Sequence, residues 1–209
     1  MGETMTIHPL RSCADLFRLV QCIPDFRLYR HLQEEFGFDP WHVKSPYRRR
    51  PYKRRVVAMI DGFAPQTVVE IGCGLGEIIS HTKAPRRFGI DLEAAVIEAA
   101  KSLHGSGVTF HQGDLRKPEE IAAVVGGPID VLVAVNWPHM LPFEEIEKAI
   151  AGLRAQTPVR RLVIDTIYPD RTGYQHYHTR KDVERLGEVT ASVPGGDFIR
   201  DLHAVRLSQ

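Results

Sequence analysis

Between Thr67 and Thr166 the chain repeats one pattern: a short β-branched run, then an amphipathic stretch. The runs are TVVEI, RFGID, VTFHQ, VLVAV and RLVIDT, and between them lie EAAVIEAAKSL, PEEIAAVV and FEEIEKAIAGL. Strands alternating with helices are joined by right-handed crossovers, which cover both faces of a parallel sheet. The pattern therefore predicts an α/β fold. After Thr166 the alternation stops. EVTASV and FIRDLHAVRL flank PGGD, a turn signal that predicts a terminal antiparallel hairpin.

Residues 1 to 62 carry no strand-like run. SCADLFRLVQCI places Leu16, Leu19, Val20 and Ile23 on one helical face, with Ser12 as N-cap. DFRLYRHLQEEF repeats the periodicity through Phe26, Tyr29, His31, Leu32 and Phe36. At 209 residues the chain can bury one sizeable core and not comfortably two. One domain is expected over 1–209, with 1–62 as a helical cap on an α/β core at 63–209.

VVEIGCGLGEI puts Gly72, Gly74 and Gly76 at alternate positions directly after the first strand, with GEIISHTK expected to open a helix. Glycine tolerates positive φ and lets a ligand approach the main chain. A dinucleotide loop would set a pyrophosphate against the helix N-terminus. Here Glu77 follows the third glycine and Glu70 ends the strand. Two carboxylates suit a ligand without phosphates and with cationic character.

These residues resemble the first motif of the class I S-adenosylmethionine-dependent methyltransferases, acid-x-G-x-G-x-G, at Glu70, Gly72, Gly74 and Gly76. FGIDL sets Asp91 roughly twenty residues beyond Glu70, where an acid binds ribose hydroxyls. HQGDLRKP supplies Gly113, Asp114 and Leu115 after the third strand, where the family binds adenine. The resemblance covers about Thr67 to Thr166. It implies a Rossmann-like sheet of seven strands, mostly parallel with the C-terminal hairpin antiparallel. It also implies S-adenosylmethionine as cofactor, with Cys73, Leu92 and Asn136 completing the cofactor set.

The expected reaction is O-methylation of a small molecule such as a sugar or secondary metabolite. N-methylation of a small amine, RNA methylation and a non-catalytic cofactor-binding scaffold are the alternatives. NWPHM follows the fourth strand, at the crevice where ligands of open α/β sheets sit. Asn136 is placed to orient a ligand, Trp137 to wall off water, and His139 to take a hydroxyl proton. The stretch partly resembles the Asn-Pro-Pro-Tyr signature of amino-methyltransferases, matching at Asn136 and Pro138 only. The loop after the fifth strand clusters Tyr174, His176, Tyr177 and His178, so His176 and His178 rival His139 as base. Tyr174 and Tyr177 are expected at the acceptor. No metal site is expected, since neither Cys nor carboxylate completes the histidine pair.

KSPYRRRPYKRR holds seven cations between Lys44 and Arg55, interleaved with Tyr47 and Tyr52. Such a segment serves nucleic acid, an anionic acceptor, the cofactor carboxylate, or simply a solvated face. Pro51 limits it to a kinked helix or a late helix start. A net charge of +1 disfavours a nucleic-acid partner. The partner expected is a small-molecule acceptor, with room for a homodimer. Cys13, Cys22 and Cys73 form no disulfide framework, and no run reaches the roughly 18 apolar residues of a membrane span. A cytoplasmic location is the expectation.

Overall fold

The computed structural model describes residues 23–44, 46–171 and 173–207. The first expected helix, with Ser12, Leu16, Leu19 and Val20, lies outside the described residues, as do Cys13 and Cys22. The chain forms a seven-stranded sheet in the order β3-β2-β1-β4-β5-β7-β6. Its strands are β1 (Thr67–Ile71), β2 (Arg86–Asp91), β3 (Thr109–Gln112), β4 (Ile129–Ala134), β5 (Val159–Ile167), β6 (Gly187–Pro194) and β7 (Arg200–Leu207). β1 to β5 run parallel, and β7 lies antiparallel between β5 and β6.

Described helices flank the sheet: α1 (Ile23–Phe36), α2 (Pro51–Asp61), α3 (Ala94–His104), α4 (Pro118–Val125), α5 (Phe143–Gln156) and α6 (Arg180–Glu184). Side chains alternate across each strand, which divides the core in two. Val69, Leu132, Ala134 and Leu162 meet α4 and α5 through Ile121, Ile146 and Leu153. Val68, Val131, Val133 and Val163 point the other way and meet α2 and α3 through Val56, Ile60 and Ile97. All five residues of β1 are buried, as a strand covered on both faces must be. The edge strand β6 is mostly exposed and ends at Pro194, which limits further pairing.

The basic segment resolves into a late start: Pro51 occupies the first turn of α2, where its missing N–H costs nothing. Tyr29 and Leu32 of α1 pack with Leu75 of the glycine loop and with Val96 and Ala99 of α3. The cap thus sits over the carboxyl end of β1. α6 is closed by a capping box between Thr179 and Asp182.

One expectation fails. No α-helix follows the glycine loop; between β1 and β2 there is only a 3-10 turn at Ile79–His81. Gly72, Gly74 and Gly76 all have positive φ, at 66°, 53° and 72°, so the chain leaves helical space at alternate residues. The Glu70 carboxylate then accepts the Ile79 amide at 2.9 Å, and Thr82 Oγ1 donates to the Ile79 carbonyl at 2.9 Å. Side chains satisfy the groups that a helix would have paired.

Candidate active site

The sheet order reverses direction between β1 and β4. Beyond the carboxyl ends of these strands opens a cavity of about 780 Å³, within the range of small-molecule sites. Glu70, Gly72, Cys73 and Gly74 line it from β1, Asp91 and Leu92 from β2, and Gly113, Asp114 and Leu115 from β3. Asn136, Trp137 and Tyr174 line it from β4 and from the loop after β5.

Each carboxylate has a fixed place. Asp91 is buried and accepts the Gly74 amide at 2.8 Å and the Glu93 amide at 3.1 Å. It ties the glycine loop to β2 rather than capping α3, whose N-cap is Glu93. Asp114 accepts the Arg116 amide at 2.9 Å and pairs with the Arg116 guanidinium at 2.6 Å, which holds its carboxyl below the usual range. Leu115, Leu141 and Ile146 of one apolar cluster also line the cavity and give it an apolar wall. Burial pushes the Glu70 carboxyl up to about 8, and it raises the Cys73 thiol as well.

Glu70 gives a pH-dependent expectation. Near neutral pH its carboxyl is protonated, and a sulfonium in the same cavity favours the ionised form. Binding of S-adenosylmethionine at pH 7 should therefore release protons. Affinity should rise with pH toward 8, by at most about tenfold per unit, and then level off. Calorimetry in two buffers of different ionisation enthalpy reads the proton count directly. S-adenosylhomocysteine, without the sulfonium charge, should release fewer.

The glycines also make room for the protein's own rings. A β-carbon at Gly72 would lie 2.2 Å from Trp137 Cδ1, one at Gly74 2.9 Å from His42 Nδ1, and one at Gly76 2.5 Å from Phe110 Cζ. Trp137 Nε1 donates to the Ile71 carbonyl at 2.6 Å, which lays the indole across the loop. Gly76, expected at the cofactor, is turned toward Phe110 and does not line the cavity.

Glu77 is the residue whose role the sequence concealed. It is buried, accepts the Tyr29 hydroxyl at 2.8 Å and the Tyr47 amide at 2.6 Å, and pairs with Lys53. One carboxylate thereby fastens α1, α2 and the segment between them to the loop. Burial opposes the Lys53 charge, and Glu77 outweighs it, raising the ammonium pKa.

The histidines expected to supply a base do not reach the cavity. His139 is 0% exposed, and its Nε2 lies 3.2 Å from Asp165 Oδ1. Tyr174 packs edge-on against it with ring centroids 5.5 Å apart, between the imidazole and the cavity. His178 is buried, stacks on His139 and donates to the Pro138 carbonyl at 3.1 Å. His176 stacks on His178 and is also absent from the cavity wall. Tyr177, expected at the acceptor, turns its hydroxyl to the Arg171 carbonyl instead. These rings pack as a block because Pro138 to Met140 form a 3-10 turn that points His139 inward. Among the described residues no group of three or more His, Cys, Asp or Glu is placed to hold a metal ion.

Beneath Asn136 lies a buried charge network. Asp165 is 0% exposed and Arg200 is 1% exposed. The Asp165 carboxylate accepts the Asn136 amide at 2.9 Å and Arg200 Nη1 at 2.6 Å. Burial would raise the Asp165 carboxyl, but the His139 hydrogen bond and the Arg200 charge overcome it, and the carboxyl stays below its ordinary value. Arg200 Nη1 also donates to Asn136 Oδ1 at 3.0 Å, while its Nε bonds Asp197 at 2.9 Å and its guanidinium lies 4.0 Å from the Tyr52 ring centroid. Asn136 sits at φ 78°, a strained conformation that this network holds.

Residues 68–157 match the family model described as a methyltransferase domain. No curated protein sequence matches the chain. Among solved structures, the chain is similar to magnesium protoporphyrin IX methyltransferase from Synechocystis PCC 6803 with bound S-adenosylmethionine. That match has 16% identity and a TM-score of 0.59, over 97% of this chain and 100% of that one. It is also similar to the N-methyltransferase NodS from Bradyrhizobium japonicum WM9 in complex with S-adenosylhomocysteine, at 18% identity, with TM-score 0.61, over 87% and 99% of the two chains. A third is an amino pentose methyltransferase of calicheamicin biosynthesis from Micromonospora echinaspora, at 15% identity, with TM-score 0.59, over 78% and 94%.

The cavity residues fit the cofactor these comparisons indicate, S-adenosylmethionine. With that cofactor bound, Asp91 would meet the ribose hydroxyls, Asp114 the adenine and Glu70 the cationic groups. Asp91→Asn should weaken S-adenosylmethionine by roughly 1.5–3 kcal/mol, through loss of charge-assisted hydrogen bonds. Calorimetry finding unchanged affinity would remove the ribose from Asp91.

Proposed function

We propose that the chain is a class I S-adenosylmethionine-dependent methyltransferase, as its match to a methyltransferase domain over residues 68–157 supports, and that the methyl group passes to an oxygen of a small molecule. The observation that carries this reading is the orientation of Asn136. Its side-chain oxygen is taken by Arg200 at 3.0 Å, so the group it offers to the cavity is the amide nitrogen, a donor. An amine acceptor needs a lone pair to receive its N–H. An oxygen acceptor needs donors. Tyr174, which lines the same side, is a second donor, because burial raises its hydroxyl above the usual phenol range.

A small acceptor is favoured over RNA by what the basic segment does. Arg54 bonds the Arg48 carbonyl at 2.6 Å, Arg55 the Pro194 carbonyl at 2.5 Å, and Arg49 lies 5.8 Å from the Phe26 ring centroid. These cations brace the cap rather than forming an open stripe for phosphates.

When bound, S-adenosylmethionine supplies an electrophilic methyl group and a neutral thioether leaving group. The chain supplies position and exclusion of water. Trp137 covers the loop, and Asn136 and Tyr174 aim donors at the acceptor oxygen. The reading is tested with methyl-labelled cofactor and matched alcohol, carboxylic acid and amine acceptors. Product on oxygen is expected, and label found only on nitrogen would sink the proposal. Asn136→Asp, which replaces the donor by a carboxylate, should lower kcat/KM by about a hundredfold, in the range of a lost charge-assisted contact. Steady-state assays at saturating cofactor check this, and an unchanged kcat/KM would remove Asn136 from the acceptor.

A further inference from the structure

The oxygen reading leaves one question: where the acceptor's proton goes. Among the described residues lining the cavity, His42 is the only histidine, and it lies against Gly74 with its Nε2 3.4 Å from Glu93. The carboxylates are engaged elsewhere: Asp39 with the Trp41 amide, Asp91 with two backbone amides, Asp114 with Arg116, Glu70 with the Ile79 amide, Glu77 with Lys53 and two tyrosine groups. Arg200, which bonds Asn136, lies over the Tyr52 ring and acts on Tyr174, as Arg50 also does; Arg50, Tyr52 and Tyr174 all line the cavity and all carry hydrogen-bond donors. This side therefore holds no general base for a hydroxyl.

One cation on that side also stands apart from the ion pairs. Arg200 is matched by Asp165 and Asp197, and Lys53 by Glu77. Arg50 lines the cavity, acts electrostatically on both Lys53 and Tyr174, and has no carboxylate within ion-pair distance among the described residues.

Resting on the oxygen reading, we propose that the acceptor is a carboxylate, which Arg50 draws to Asn136 and Tyr174 and which leaves the site as its methyl ester. An ionised carboxylate needs no base. One carboxylate oxygen forms the C–O bond to the methyl carbon as the C–S bond breaks. The electron pair of the broken bond stays on sulfur, giving a neutral thioether and a neutral ester, with no proton moved. Charge is lost from both partners as the reaction proceeds, and a water-poor cavity favours that course.

The experiment uses the protein saturated with S-adenosylhomocysteine and three probes of one shape: phenylacetate, phenethyl alcohol and phenethylamine. Calorimetry should show phenylacetate binding at least about tenfold tighter than the others, as a charge-assisted contact provides. Arg50→Gln should abolish that preference and Arg50→Lys should keep part of it, with unfolding midpoints close to the parent's. Preference for the alcohol, equal binding of the three, or a preference that survives Arg50→Gln overturns the carboxylate. Preference for the amine overturns the oxygen reading with it. Arg50→Gln is also tested with S-adenosylhomocysteine against methylthioadenosine, which lacks the amino-acid carboxylate. Equal affinities to the parent support the proposal, and a loss confined to S-adenosylhomocysteine assigns Arg50 to the cofactor and overturns it. Label transferred to any acceptor should be released as methanol by mild alkali, and alkali-stable label overturns the ester.

Discussion

Asp165→Ala should lower folding stability by about 3–5 kcal/mol, the cost of breaking a buried ion pair from one side, with Asp197 left as the one carboxylate on Arg200. Arg200 is 1% exposed and donates to Asp165 at 2.6 Å, so its guanidinium cannot turn to water without opening β7 from β5. The same change strips an acceptor from the Asn136 amide and from His139 Nε2. Urea unfolding measures the loss. Replacing both partners, as Asp165→Leu with Arg200→Met, should return only part of it, since two apolar groups of similar size remove the pair but Asp197 then loses the Arg200 charge. The double variant should still be a poor enzyme, because nothing then holds Asn136 at φ 78° with its oxygen turned from the cavity. A single Asp165→Ala variant within about 1 kcal/mol of the parent would show that the pair carries little.

Gly72→Ala should be nearly as costly, for two separable reasons. At φ 66° an L-residue is strained by roughly 1–2 kcal/mol. The added carbon would also stand 2.2 Å from Trp137 Cδ1, so the indole must move and give up its 2.6 Å bond to the Ile71 carbonyl. That adds about 1–3 kcal/mol of unmade hydrogen bond. Trp137→Leu placed on the Gly72→Ala background should recover the steric part and leave the backbone strain, so the two changes should be clearly non-additive in thermal unfolding. Strict additivity would mean that Trp137 does not rest on the loop.

The five parallel strands were legible because each is a short β-branched run bounded by polar residues, and the hairpin because PGGD announces a turn. That Glu70, Asp91 and Asp114 gather at one cavity follows from their places at the ends of three successive strands, which the resemblance to methyltransferases picked out. The region after Gly76 was misread because IISHTK reads equally well as helix or turn. What decides is Glu70, which takes the Ile79 amide across nine residues. His139 looked reactive because it follows the fourth strand. The direction of a side chain in a three-residue 3-10 turn has no sequence periodicity to betray it. The structural roles of Arg200, Asp165 and Glu77 were hidden for a related reason. Arg200 and Asp165 sit in segments that read as ordinary strand, Glu77 at an expected helix start, and each acquires its role from a partner 24 or more residues away. Arg50 was visible only as one of seven cations, and folding distinguishes it by leaving it at the cavity.

The antiparallel strand β7 has a consequence for the order of assembly. Asp165 is synthesised 35 residues before Arg200, the guanidinium that neutralises it. At about 5–20 residues per second the ribosome leaves that carboxylate without its counter-charge for roughly 2–7 seconds. Over that interval β5 is an open sheet edge with an acid toward its carboxyl end, a poor template for pairing with a neighbouring chain. The nascent protein is thus guarded against premature edge association by the very charge that, once β7 arrives, disappears into the interior.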